Sequence, residues 1–300
     1  MQRIFSMFLV TSLLTFSAFA HGDDSHFENK QDVTVKVTKV SGNVYMLQGR
    51  GGNVGAIVGT DGILIVDDDY KTVSEKLRDA LKELGSASPK FIFNTHWHGD
   101  HTAGNEFFGK ESIIVAHTNV RKRLIDPPVI FGEKTAPYVS FALPVVTYDA
   151  SISIQFDGDE VRAVHYPNGH TDGDSIIFFT KANVVHLGDD FFAGRFPFVD
   201  LDSGGSVQGM INNVAALLKI IPADAKLIPG HGPVSTLNDL KIYHQTLTET
   251  AKIVQDAMKK KKTLDEIKKA GLPDKYKDYG TGFIKTDQWV ETVYKSYSKK

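Results

Sequence analysis

Asn94-Thr95-His96-Trp97-His98-Gly99-Asp100-His101 sets three imidazoles and a carboxylate side by side, directly after the apolar run Phe91-Ile92-Phe93. If that run is a strand leaving a core, His96 and His98 face one side of it and Trp97 the other. Gly99 permits a sharp turn, which would swing Asp100 and His101 back toward the two imidazoles. A set of nitrogen and oxygen donors of this kind suits zinc and is acceptable to iron or manganese. Imidazoles crowded without a cation would leave buried polar groups unpaired, so the pattern points to a metal site.

Three later residues occupy positions of the same kind. His170 lies in Gly169-His170-Thr171, Asp189 in Gly188-Asp189-Asp190 and His231 in Gly230-His231-Gly232, each beside a glycine at an expected strand end. Side chains at strand tips on one sheet edge can meet although distant in sequence, and with the first turn they suffice for two metal ions.

The elements that must position them are short strands followed by helices. Apolar and alternating runs predict strands at residues 33–37, 44–47, 54–58 and 63–66, then a helix over 71–84 with Val73, Leu77 and Leu81 on one face. Asp67 falls at a strand tip and could orient a ligating histidine, while Asp68 and Asp69 read as caps of the following helix. Beyond the histidine turn come a strand at 112–115, a short helix at 119–124 and a proline- and aromatic-rich loop at 126–143, of the type that forms lids. A second group of strands follows at 153–156, 161–165, 176–179 and 184–187, then helices at 207–220 and 237–259 and a shorter one from Leu264. The lysines at 259–262 read as a solvated helix end.

Composition narrows the function classes. A chain of 300 residues with 41% hydrophobic and 23% charged residues is that of an ordinary globular protein, and a net charge of −2 lacks the basic footprint of nucleic-acid binding. There is no cysteine, so thiolate is neither ligand nor nucleophile and no disulfide forms. Arg3, the apolar run at 4–19 and Ala18-Phe19-Ala20 read as a signal peptide over residues 1–20, with a mobile leader at 21–32. The expectation is a periplasmic or secreted protein with no membrane anchor after cleavage. It would be a single domain over 33–300, with a helical C-terminal extension from about 236.

His96-x-His98-x-Asp100-His101, followed in order by His170, Asp189 and His231, resembles the metallo-β-lactamase superfamily over about residues 33–234. The resemblance implies an α/β (α+β) fold, a four-layer αββα sandwich with its metals in a groove at one edge, here with extra C-terminal helices. It implies two Zn2+, with iron or manganese possible. His96, His98 and His170 would hold one ion, Asp100, His101 and His231 the other, with Asp189 as the bridge, although sequence leaves open whether Asp189 or Asp190 bridges. A hydroxide shared by the two ions would attack a carbonyl, with Asp100 as the catalytic residue that orients it and moves its proton.

The implied function is zinc-dependent hydrolysis of a small-molecule ester, thioester, lactone or β-lactam-type amide. The best-known β-lactamase subclass carries cysteine where Asp189 stands, so this chain looks more like the thioesterases and lactonases. An iron-containing oxidoreductase of sulfur or oxygen chemistry is the alternative, and a nuclease or a non-catalytic zinc module fits less well. Arg195 and Lys134 are the cations that could grip a substrate carboxylate.

Overall fold

Gly42, at φ 53°, turns the chain between β1 (Lys36–Ser41) and β2 (Val44–Gln48). In the computed structural model, which describes residues 33–130 and 132–298, β1 starts where its partner ends, because Lys36 lies opposite Gln48. Val33 and Val35 therefore precede the strand that their alternation suggests. The signal peptide and leader expected at 1–20 and 21–32 lie outside the described residues.

The chain continues as β3 (Val54–Gly59), β4 (Gly62–Val66), α1 (Ser74–Leu84), β5 (Phe91–Asn94), α2 (Gly99–Thr102), α3 (Asn105–Phe108), β6 (Ile113–His117) and α4 (Thr118–Ile125). A small hairpin, β7 (Val129–Ile130) with β8 (Glu133–Lys134), interrupts the segment expected to be a loop, and β9 (Val146–Tyr148) follows it. Then come β10 (Ser151–Phe156), β11 (Asp159–His165), β12 (Ser175–Phe179), β13 (Val184–His186), α5 (Val207–Ile220), β14 (Lys226–Ile228) and β15 (Ser235–Thr236). The chain closes with α6 (Leu237–Lys259), α7 (Leu264–Ala270) and α8 (Thr286–Ser298).

These strands form a seven-stranded sheet, β1-β2-β3-β4-β5-β6-β9, and a six-stranded sheet, β10-β11-β12-β13-β14-β15. Period-two alternation assigns their faces. Ile57, Leu64, Val66 and Phe93 of the first sheet meet Val161, Ile177, Phe179 and Ile228 of the second in the inter-sheet core. The intervening residues Ala56, Ile63, Ile65 and Ile92 pack outward on Leu77 and Leu81 of α1 and on Phe108. The outer face of the second sheet, with Phe178, Val185 and Leu227, is covered by Met210 and Val214 of α5, Leu240 and Leu247 of α6, and Trp289 and Val293 of α8. The layers are thus helix, sheet, sheet, helix, and the helices beyond residue 236 are part of the fourth layer.

Each sheet contains one parallel crossover that matters for chemistry. β4 and β5 are parallel, as are β13 and β14. Asp67 follows β4, His96 follows β5, Asp189 follows β13 and His231 follows β14. Four short connections therefore leave the carboxyl ends of parallel strands, where ligand sites form in open α/β sheets. Among the described residues no helix is long and apolar enough to cross a membrane.

Candidate metal centre

Three groups of side chains place their donor atoms within 4.8 Å of one another: His96, His98 and His170; His96, His101 and Asp189; and Asp100, His101 and His231. All seven residues expected to bind metal are brought together. Asp189 lies between two corners. Its Oδ2 is 3.9 Å from His96 Nε2 and 3.5 Å from His170 Nε2, and its Oδ1 is 3.2 Å from His101 Nε2 and 3.4 Å from His231 Nε2. Asp190 is turned away, with Oδ1 toward Asn213 Nδ2 at 3.5 Å.

The turn that gathers His98, Asp100 and His101 is the start of a helix. Gly99 opens α2 with a non-positive φ and has no neighbour within 4 Å of where a Cβ would stand, so its conformational freedom is not what makes the bend. His101 N–H bonds back to His98 O at 3.0 Å, and Thr102 Oγ1 donates to the same carbonyl at 3.0 Å.

Outer hydrogen bonds decide which ring nitrogens face inward. His101 Nδ1 donates to Asp67 Oδ2 at 2.7 Å, His98 Nε2 to Asp200 Oδ2 at 3.0 Å and His170 Nδ1 to the Phe198 carbonyl at 2.8 Å. Thr95 Oγ1 gives its proton to Asp67 Oδ2 at 2.8 Å, which leaves it to accept from His96 Nδ1 at 3.0 Å. His96, His98 and His170 are each thereby left with a lone pair on the other nitrogen, and these three meet at one corner; burial would lower His101, but Asp189, Asp100 and Asp67 lift it well above the ordinary range, and its Nε2 faces Asp189 Oδ1 at the other corner. His98 Nδ1 and His170 Nε2 stand 2.7 Å apart, and His96 Nε2 is buried with no hydrogen-bond partner. Two lone pairs at such a distance repel unless a positive charge lies with them, so the residues fit a bound cation.

The electrostatics agree. Burial, reinforced by His101 and His170, holds His96 well below the ordinary imidazole range, and burial brings His170 to about 4, so both are neutral donors. Burial would raise the carboxyls of Asp100 and Asp189, but the surrounding histidines reverse this, leaving Asp100 at about 2 and Asp189 well below its usual value. Burial would likewise lower His231, but Asp189 and Asp100 lift it to about 9. Two fixed carboxylates thus concentrate negative potential where the imidazoles meet, and a divalent cation satisfies both sets of groups.

Sequence reasoning missed several supporting residues. Asp200 lies in an Asp-Leu-Asp-Ser-Gly-Gly loop, where its Oδ1 accepts from the Asp202 and Ser203 backbone; burial is outweighed by its bond to His98, which holds it at about 2. Asn53 donates to the Pro229 and Gly232 carbonyls, both at 2.8 Å, and so clamps the turn that carries His231. Asp69 is not a helix cap: its carboxylate accepts from the N–H groups of Arg50, Gly51 and Tyr70 at 3.0, 2.7 and 2.6 Å. Asp68 caps nothing either. Its carboxyl is buried with neither oxygen hydrogen-bonded, and burial beside Asp67 and Asp69 raises it well above the usual range.

The two cations proposed for substrate binding do not join the cluster. Lys134, on β8, pairs with Asp126 at 3.2 Å, with 58% of its side chain exposed. The Arg195 side chain lies along the backbone of Gly282. No hydrogen bond or ion pair links either to the site among the described residues.

Comparison with known proteins places this geometry in a family. A family model described as the metallo-beta-lactamase superfamily matches residues 38–232. A hydroxyacylglutathione hydrolase from a Synechococcus strain is 30% identical over 123 residues, 41% of this chain and 42% of that protein. The lactamase-like protein aptB of Emericella nidulans is 26% identical over 183 residues, 60% of this chain and 53% of that protein. The matches thus span about half of the curated relatives. Among solved structures, the DIM-1 metallo-beta-lactamase superposes with a TM-score of 0.60 at 19% identity, over 73% of this chain and all (100%) of that one. The sec-alkylsulfatase Pisa1 from Pseudomonas sp. gives 0.69 at 15% identity, over 88% of this chain and 50% of that one. These structural likenesses concern the fold.

Proposed function

Because the chain belongs to the metallo-beta-lactamase superfamily, we propose that it is a secreted dinuclear zinc hydrolase that cleaves a small ester, thioester, lactone or strained amide. One observation carries this reading: His96, His98 and His170, each fixed by an outer oxygen, turn their free ring nitrogens to one corner, Asp100, His101 and His231 gather at a second, and the two oxygens of Asp189 face one corner each. His96, His98 and His170 would hold one ion, Asp100, His101 and His231 the other, and Asp189 both. Bound there, the pair would supply Lewis acidity and make water acidic enough to react near neutral pH.

The residues of the chain supply the rest. Asp100 and His231 are 22% and 21% exposed whereas Asp189 is 5% exposed, so the mouth of the site lies on the Asp100 side. Asp100 Oδ2 rests 3.3 Å from His231 Nε2 and 3.5 Å from His101 Nε2. Held as a carboxylate, it can accept a hydrogen bond from an incoming water and aim a lone pair at the substrate carbonyl. The Phe192 ring stacks on His231 with centroids 5.2 Å apart and so lines one side of that mouth. Secretion rests on the apolar run at 4–19 and the Ala18-Phe19-Ala20 site.

A panel of esters, thioesters, lactones and a chromogenic β-lactam, run on the purified protein, tests the reading. Turnover of one class that chelator abolishes and zinc restores is the expected result. Turnover insensitive to chelator, or none with any class, would overturn it.

A further inference from the structure

His186, the last residue of β13, is fully buried and belongs to none of the three donor groups. Its ring crosses from the second sheet toward the first, where Gly55 on β3 leaves room for it: a Cβ at Gly55 would stand 3.0 Å from His186 Cδ2. Nε2 donates to the Asn53 carbonyl, at the end of the loop joining β2 to β3, at 2.9 Å, and Nδ1 accepts the Gly188 N–H at 3.2 Å. Only the neutral ring with its proton on Nε2 makes both bonds. Burial keeps the ring neutral, against the pull of Asp67.

Both partners lead to the same corner of the site. Gly188 immediately precedes Asp189. Asn53 is bound to the turn that carries His231 by three hydrogen bonds of 2.8 Å, from its N–H to the Gly230 carbonyl and from its side chain to the Pro229 and Gly232 carbonyls. The two turns also meet directly, with Gly230 N–H donating to Gly188 O at 2.7 Å. The Asn53 loop reaches the remaining ligands as well, since Gly52 N–H donates to Asp100 O at 2.9 Å. One imidazole therefore ties a loop of the first sheet, lying on Asp100, to the second-sheet turns that present Asp189 and His231. At the other corner, His98 and His170 are held from different groups, Asp200 and the Phe198 carbonyl.

We infer that His186 is a positioning residue for the corner formed by Asp100, His101 and His231: its two hydrogen bonds fix Asp189 Oδ1 and His231 against the first sheet, so that its loss weakens the ion at that corner and spares the one held by His96, His98 and His170. The inference rests on the dinuclear reading and assigns to His186 control over one of its two ions.

Stepwise zinc affinities of the full chain, read by competition with a chromophoric chelator, test this. The native protein should bind two equivalents. His186→Phe, which keeps a ring and removes both bonds, should weaken one step by about tenfold or more, as when an outer partner of a ligand is removed, and leave the other within about threefold. His186→Gln, which retains a donor for the Asn53 carbonyl, should lose less at that same step. In a His231→Ala background, where the three-histidine corner is the intact one, adding His186→Phe should leave the remaining affinity unchanged. Affinities unaltered in His186→Phe, or weakened alike at both steps or in the His231→Ala background, would overturn the inference, because a ring that only fills space or steadies the fold gives those results. If circular dichroism shows that His186→Phe does not fold, His186→Asn decides, since its shorter amide can accept from Gly188 without reaching Asn53. Loss confined to one step supports the inference, and no loss or equal loss at both steps overturns it. A native chain that holds a single equivalent would defeat the dinuclear reading itself, and the inference with it.

Discussion

The orientation of the candidate metal ligands depends on hydrogen bonds made outside their cluster. Asp67 engages three groups, the Thr95 N–H at 2.7 Å, the Thr95 hydroxyl at 2.8 Å and His101 Nδ1 at 2.7 Å. It thereby sets the ring orientation of His101 directly and of His96 through Thr95. Asp200 does the same for His98 from the other side. Outer carboxylates of this type typically change metal affinity by about 10–100-fold when removed. Asp200→Ala should weaken zinc binding by about that factor in competition with a chromophoric chelator. Asp200→Asn, which keeps an acceptor for His98 Nε2, should lose distinctly less. Equal affinities in all three proteins would show that His98 is oriented without Asp200. The role of Asp67 was legible from its place at a strand tip, whereas Asp200 gave no signal, because an acid before a serine and two glycines looks like any turn.

At the scale of elements, loops meet so closely that some positions admit no side chain. A Cβ at Gly230 would strike Asp189, and one at Gly52 would strike His101. Gly52→Ala should therefore displace the His101 ring and lower turnover by about a hundredfold while the thermal midpoint shifts little, since misplacing a catalytic centre by an ångström suffices for such a loss. Full activity in that variant would contradict the close packing.

The ends of β6 and β11 meet in another contact, His117 stacked on His165 with centroids 3.7 Å apart and planes at 11°. His117 Nδ1 accepts from Asn119 N–H at the start of α4 while its Nε2 donates to the Asp149 carbonyl, so only the neutral ring makes both bonds. Burial and His165 hold its pKa below the ordinary 6.5, with Asp149 and Asp172 opposing. A depressed imidazole contributes stability that is present above pH 6.5 and is lost as pH falls below it. The melting temperature should drop on that acid side, and His117→Gln should flatten the drop while costing about 1 kcal/mol at neutral pH through the lost helix cap. An unaltered pH profile would exclude His117 as its source. Periodicity showed most of these strands and helices, but not α2, α3, β7, β8, β9, β15 or α8. All but α8 are too short to display a period, and α8 is recognisable only from the surface that it covers.

For the whole molecule, two sheets must keep their relative position if Asp67 and His96 are to meet Asp189 and His231. The inter-sheet core of Ile57, Leu64, Phe93, Ile177 and Ile228 fixes it, and the C-terminal helices secure the second sheet from outside. Trp289 is fully buried and donates from Nε1 to Thr250 Oγ1 at 2.9 Å. Trp289→Ala should cost about 3–5 kcal/mol in denaturant unfolding; a loss below about 1 kcal/mol would mean that the helices cover the sheet without supporting it. The layer order was legible from the resemblance in the ligand motif. The inclusion of the last helices in the fourth layer was not, because sequence shows an apolar stripe without showing what it meets. If seven side chains hold two cations with Asp189 between them, as proposed, the zinc content of native and Asp189→Ala proteins after loading and desalting, read alongside activity, will show it. About two equivalents are expected in the native protein and loss of one, together with turnover, in the variant; retention of both ions in the variant, or a native protein that holds a single ion, would rule out a bridging Asp189.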